Sequence, residues 1–416
     1  MRIEWDTLQS YTRRIRSILA FQRGVDLESF TTLVNPPADE PLFPNLHTLH
    51  CEYTEKTKHL LSLPLPSLVF LKVKFKDPRL LQNSFESFLE FSPNLRTLEA
   101  EVGQLVDTFC KIKPNYICRW QYLSCVDCPQ ITLGLDDLVH LSHIPALSCL
   151  AFSPSITLPT LDSPLLFANM RDMTLRSGSL EQISLFLSQT RLPVLVHFAT
   201  LIESCPSNSG LSLFMAAIQT SNTSRTIERL RLSQFKGHIL HSGDPLFCLD
   251  DLQPCMAFSS LRHMDLDVRC NVGLRDKDQL TLASAWPHLE KLSINSTFGW
   301  GTLGGITPDG FLQLLQMCPL LKSVSLAFDV QNYTEFYQPQ GDLGITIRSL
   351  LTIDVLDSSI ELKSVSAMAS FFARIPCFKL ILRAWETTIM RQLRNGGAIY
   401  GSKWIAIFRQ AIDERL

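Results

Sequence analysis

Cys110, Cys118, Cys125 and Cys128 fall close together and include one C-x-x-C step. Paired thiolates at that spacing are a common way to hold a structural zinc ion. A finger-type site needs a second pair of ligands at finger spacing, and none follows. No metal is therefore expected. Gly299, Gly301 and Gly304 spell G-x-G-x-x-G after a predicted strand. Such a loop cradles phosphates when it opens directly into a helix of a βαβ unit. Here Pro308-Asp309-Gly310 intervenes, and no acidic residue follows at the expected distance, so the glycines predict an inter-repeat turn and no nucleotide cofactor. The chain has no H-E-x-x-H, G-x-S-x-G, Walker or kinase-type motif, and its ten histidines do not cluster. Catalysis has no positive support, and the chain is not expected to be an enzyme.

The remaining chemistry is that of binding. Side chains alternate faces along a strand. With the leucines inward, an outward row is predicted: Thr48, His50; Phe70, Lys72, Lys74; Thr97, Glu99, Glu101; Asp172, Thr174, Arg176; Arg229, Arg231; His263, Asp265, Asp267; Lys291, Ser293. Lys72/Lys74 beside Glu99/Glu101, and Arg229/Arg231 beside Asp265/Asp267, are expected to pair across strands about 4.8 Å apart. The other use of such a row is recognition of a protein. The residues singled out for it are Phe70 as an apolar anchor, with Lys72, Glu99, Arg229, Arg231, His263, Asp265 and Lys291.

The elements that position this row come from one recurring phrase, roughly P-x-L-x-x-L-x-L. It stands at Pro44-Asn45-Leu46, Pro66-Ser67-Leu68, Pro93-Asn94-Leu95, Pro287-His288-Leu289 and Pro319-Leu320-Leu321. This is the strand signature of a leucine-rich repeat. Good units start at Leu46, Leu68, Leu95, Leu147, Met170, Leu261, Leu289 and Leu321, and weaker ones at Trp120, Leu195, Ile227, Ile347 and Phe378. The spacing runs from 22 residues (Leu46 to Leu68) to 34 (Ile227 to Leu261), so some units need a long return segment. In this alignment Cys125 takes an inward strand position and Cys128 the following turn. Helices are predicted over 84–91, 178–187 and 310–317 from their apolar faces. Loops are predicted over 35–41, 236–254 and 331–342, the last two long enough to serve in binding.

Composition agrees. The 416 residues are 45% hydrophobic and 19% charged, with a net charge of −2. That supports a continuous core and argues against disorder. It supplies no field for nucleic acid or for an anionic membrane. No apolar run reaches the roughly 18 residues of a membrane span, and the first residues lack the h-region of a signal peptide. The twelve cysteines are then expected to be reduced, the sequons at Asn222, Asn295 and Asn332 to be chance matches, and the compartment to be cytoplasmic or nuclear. Both ends need caps. Trp5, Leu8, Ile15 and Leu19 give the first an apolar stripe; Trp404, Phe408 and Ile412, at four-residue steps, give the last.

Two stretches carry a resemblance. Trp120 to Thr132 resembles the cysteine-containing repeat, L-x-x-L-x-L-x-x-C-x-x-I-T, through Leu123, Cys125, Cys128, Ile131 and Thr132. Ile306-Thr307-Pro308-Asp309-Gly310-Phe311 followed by Cys318-Pro319-Leu320-Leu321 resembles its helical half. With the segment from Glu4 to Arg16 ahead of the repeats, the chain resembles the fungal F-box/leucine-rich-repeat proteins. The resemblance implies an intracellular substrate receptor of an SCF-type ubiquitin ligase. The F-box itself is not evident, since the chain begins where that module would end, so an SCF adaptor is an expected partner only if an F-box lies upstream.

The expected architecture is an α/β leucine-rich-repeat solenoid, a horseshoe with parallel strands on the concave face and helices on the convex face. It would hold about thirteen repeats over 35–385, between helical caps at 1–34 and 386–416. The expected function is non-catalytic protein recognition, with a scaffold lacking any ligase link as the alternative.

Overall fold

The computed structural model describes residues 5–21, 41–53, 61, 63–75, 92–102, 110–111, 117, 120–155, 161–207, 209–235, 244–301, 305–330, 347–375, 377–383 and 397–413. The expected helix at 84–91, the loops at 35–40, 236–243 and 331–342, and Cys118 and Asn332 lie outside these. The chain divides into two compact units, Met1–Arg176 with Gln189–Leu195, and Ser177–Ser188 with Val196–Leu416.

The first unit is a parallel ladder. Its strands are β1 (Ser17–Phe21), β2 (Thr48–Glu52), β3 (Phe70–Phe75), β4 (Thr97–Val102), β5 (Cys110–Lys111), β6 (Cys125–Leu133), β7 (Cys149–Pro154), β8 (Leu165–Leu166) and β9 (Asp172–Ser177, whose last residue falls in the second unit), with β10 (Thr190–Arg191). They pair in the order β1-β2-β3-β4-β6-β7-β9, with β5 on β6 and β8 on β10. The second unit repeats the pattern with β11 (His197–Ile202), β12 (Arg229–Gln234), β13 (Leu246–Phe247), β14 (His263–Asp267), β15 (Asn271–Val272), β16 (Lys291–Ile294), β17 (Ser323–Ser325), β18 (Ile347–Asp354) and β19 (Cys377–Arg383). Here the order is β11-β12-β14-β16-β17-β18-β19, with β13 on β15. Each unit is an α/β leucine-rich-repeat solenoid.

The recurring phrase has a physical reading at each position. The residue after the first leucine carries the ladder: the His47 N–H donates to Arg16 O at 2.8 Å, Val69 to His47 at 3.0 Å, Arg96 to Val69 at 2.9 Å and Ser124 to Arg96 at 2.8 Å. An asparagine just before the first apolar position reaches sideways. Asn45 donates to Arg13 O at 2.8 Å, Asn94 to Pro66 O at 2.8 Å and Asn169 to Pro145 O at 2.9 Å. Each supplies a donor to a carbonyl one repeat back. The alternating apolar residues point into the core: Leu71 and Val73, Leu98 and Ala100, Leu230 and Leu232, Met264 and Leu266 are all buried. Each fully buried leucine contributes about 1.5–3 kcal/mol relative to exposure.

Helices or 3-10 turns return the chain between many strands. Trp5–Thr12 and Leu135–Ser142 belong to the first unit. In the second, Leu180–Ser188 packs on Gly210–Ser221, Asp276–Ala285 on Pro308–Met317, and Val365–Ala373 on the last helix, Gly397–Asp413. Shorter pieces are the helix Leu249–Leu252 and the 3-10 turns Gln253–Ala257 and Leu362–Ser364. The predictions at 178–187 and 310–317 therefore meet helices.

Some expectations differ from what is found. The first apolar stripe does not form one helix: the helix ends at Thr12, and Ser17–Phe21 is the strand β1, paired with β2. Ile15 and Ile18, three apart, are that strand's own copy of the phrase, and Leu19 is left exposed. In the last helix Trp404 is buried as expected, together with Ile407 and Ala411, and Phe408 is half-buried; the burial of Ile412 lies outside what is described. Two weak units are shifted by three residues. Leu98 registers with Val126, and Val324 with Ile353, so those repeats start at Leu123 and Leu350 and not at Trp120 and Ile347. Trp120 instead braces the preceding repeat, since its buried indole N–H donates to Ser92 O at 2.9 Å. The final unit shifts by one, since Ile353 registers with Leu382, so its first position is Lys379 and not Phe378.

Candidate functional site

The shift at Leu123 turns the first cysteine of the C-x-x-C step to the other face. Cys125 faces outward between Thr97 and Cys149, and Cys128 is buried in the core. This corrects the expectation that Cys125 points inward. Because strand neighbours alternate, an offset of three puts the two thiols on opposite faces of β6. Burial pushes the Cys128 thiol well above its ordinary pKa. Cys318 is likewise buried, and its pKa is pushed up to about 11. Among the described residues no group of three or more His, Cys, Asp or Glu is placed to hold a metal.

The glycine loop does contain a backbone anion nest, and the protein fills it itself. The carboxylate of Asp357 accepts the N–H of Trp300 at 2.8 Å and of Gly301 at 3.0 Å. Gly299 sits at φ 75, where a Cβ would meet the Asp357 carboxylate at 2.5 Å. The next helix starts at Pro308, capped by Thr307, whose N–H and hydroxyl donate to Asp276 at 2.8 and 2.7 Å. A Cβ on Gly310 would strike Asp276 at 2.2 Å. Both anion-receiving ends of this segment are thus closed by carboxylates of the chain. Asn222 and Asn295 are wholly buried, so neither sequon is an acceptor for a glycan.

The outward row forms two separate patches. In the first unit, the Phe70 ring lies 5.0 Å from the His50 imidazole across β2 and β3. Lys72 Nζ lies 2.8 Å from Glu99 and 2.7 Å from Glu101, and these two hydrogen bonds hold its ammonium well above the ordinary lysine range. Here the expected cross-strand pairing forms between Lys72 and the two glutamates.

In the second unit it does not. Lys291 takes Asp265 at 2.7 Å, and Asp267 accepts the N–H and hydroxyl of Thr297 at 2.8 and 2.5 Å. Arg231 turns to the Ser233 hydroxyl at 3.1 Å. Among the described residues neither Arg229 nor Arg231 forms an ion pair, and both are exposed. In register, Arg229 stands between His197 and His263, and His263 between Arg229 and Lys291. Burial, then the neighbouring Arg229 guanidinium, pushes the His263 pKa below its ordinary value. Four adjacent strands therefore present His197, Arg229, His263 and Lys291 in one line. The alternation fails for Arg176 and Ser293, which are both 2% exposed and leave the predicted row.

A second row, one position earlier in the phrase, was not foreseen. Arg262 lies 2.8 Å from Glu290 and 3.7 Å from Glu228, and Lys322 lies 2.5 Å from Glu290. The signal was present: the residue after the first apolar position reads Glu228, Arg262, Glu290, Lys322 once the repeats are aligned. This row is self-neutralised by its own ion pairs.

No protein-family model matches the chain. No curated protein matches it either. Among solved structures, an internalin (inlF) from Listeria monocytogenes str. 4b F2365 is similar with a TM-score of 0.38 and 10% identity, over 92% of this chain and 86% of that one. The TLR13 of a TLR13–ssRNA13 complex is similar with a TM-score of 0.41 and 13% identity. That match covers 92% of this chain and 52% of TLR13, so the chain spans about half of it. No helix among the described residues is long and apolar enough to cross a membrane.

Proposed function

We propose that this chain is a non-catalytic protein-recognition repeat protein whose second unit reads an acidic segment of its partner. One observation carries the proposal: Arg229 and Arg231 stand exposed on β12 without an ion pair among the described residues, while the carboxylates nearest in register are engaged elsewhere. Exposed arginines without an ion pair are well suited to bind carboxylates bidentately. Phe70, Lys72 and Glu99 form a second patch, with Phe70 as its apolar contact and Lys72 shared between Glu99 and Glu101. The sequence resemblance extends this to a receptor that brings substrates to an SCF-type ubiquitin ligase.

Two experiments separate these levels. Binding of a fluorescein-labelled oligoglutamate peptide, followed by anisotropy, should weaken at least tenfold in Arg229→Glu/Arg231→Glu and fall with added salt. Equal binding by the variant removes the cationic patch from recognition. Affinity purification of the chain co-expressed with the adaptor and cullin subunits tests the ligase link. Recovery of the chain alone leaves a scaffold protein.

A further inference from the structure

We propose that Cys125 and Cys149 form an oxidisable dithiol on the outer face of the first unit, closing to a cross-strand disulfide when a hydroperoxide reaches them. The two residues are direct register partners on β6 and β7. Adjacent strands put such partners about 4.8 Å apart at Cα, within the 4.4–6.8 Å span of disulfides. Both side chains are half-buried, so a small oxidant can reach them, unlike the buried thiols of Cys51, Cys128, Cys255, Cys270 and Cys318. Thr97 flanks the pair on β4 and Asp172 on β9.

The pair is also chemically unequal. The two facing thiols are coupled, and their mutual interaction lowers the Cys125 pKa from its ordinary value while raising that of Cys149. Cys125 is therefore the attacking thiolate and Cys149 the donor and resolving thiol. In the first step the Cys125 sulfur attacks one peroxide oxygen. An S–O bond forms, the O–O bond breaks, and the departing alkoxide or hydroxide takes a proton. The product is the Cys125 sulfenic acid. In the second step the Cys149 sulfur attacks that sulfenic sulfur, the S–S bond forms, and water leaves with the Cys149 proton. With hydrogen peroxide, two thiols and one peroxide give one disulfide and two waters.

Residues 120–171 carry Cys125, Cys128 and Cys149 with no Lys or Arg before Arg171, so trypsin leaves them on one peptide. The folded chain is treated with hydrogen peroxide, unfolded, alkylated with N-ethylmaleimide and analysed by mass spectrometry, with Asp-N cleavage to locate the bridge. The expected peptide has lost two hydrogen atoms, bears one maleimide on Cys128, and links Cys125 to Cys149. Cys149→Ser should form no bridge and instead yield a Cys125 sulfenic acid trapped by dimedone, with an unchanged far-UV spectrum. Three maleimides after oxidation, or a bridge through Cys128, overturns the proposal.

Discussion

The carboxylate of Asp357 accepts the backbone N–H of Trp300 at 2.8 Å, across 57 positions of chain. With the second bond to Gly301 it fixes the one loop whose glycine spacing suggested a nucleotide. Removing the carboxylate leaves two donors unsatisfied, one of them on a residue whose side chain is wholly buried. Asp357→Ala should lower stability by about 1–3 kcal/mol, read as a shift of the urea midpoint. Asp357→Asn, which keeps one acceptor oxygen, should lose less. Gly299→Ala should also destabilise, because its φ of 75 and the 2.5 Å approach to Asp357 leave no room for a Cβ.

Lys72 makes the opposite case. It bridges two carboxylates, yet its side chain keeps 35% of its exposure and that of Glu101 keeps 53%. Solvent screens such a pair, so Lys72→Ala should cost less than about 1 kcal/mol. The difference from wild type should shrink further at high salt. A larger, salt-independent loss in urea titrations contradicts this reading.

His263 gives a pH dependence with a definite sign. Its folded pKa lies below the ordinary value, through burial first and the Arg229 charge second. The folded protein therefore resists a proton that the unfolded chain accepts near pH 6.5. Above that pH the group carries no penalty; as pH falls through it toward the folded pKa, stability declines. NMR titration of the His263 ring should show a pKa raised by Arg229→Ala, but only in part, since burial remains.

The last helix is anchored by Trp404, 1% exposed, whose indole N–H donates to Ser358 O at 2.9 Å. Its ring lies 6.3 Å from Phe372 and 5.8 Å from Phe408. Trp404→Ala should cost about 3–5 kcal/mol. Trp404→Phe should cost less but leave the Ser358 carbonyl without that donor. Guanidinium unfolding of the three proteins ranks them.

The repeating phrase was enough to announce parallel strands, their inward leucines and most of their starting points, because a period-two burial pattern and a fixed turn leave one local solution. It failed where an apolar residue three positions early mimicked the repeat. Trp120 and Ile347 satisfy the pattern as letters, and only the ladder register shows that the repeats start at Leu123 and Leu350. The N-terminal stripe failed for the same reason in reverse, since Ile15 and Ile18 fit either a helix face or a strand start.

What the sequence determined by itself, then, is the class of fold and most of the residues that face out, though not Cys125, Arg176 or Ser293. What only the tertiary structure decided is which of those residues remain available. Lys72, Glu99, Asp265 and Lys291 are tied to charged partners, Arg229 and Arg231 form no ion pair among the described residues, and Cys125 stands beside Cys149 instead of beside Cys128. The reason is physical. Facing is set by the alternation within one strand, whereas pairing depends on the register between strands about 4.8 Å apart, and an insertion or a three-residue slip changes that register without changing the phrase.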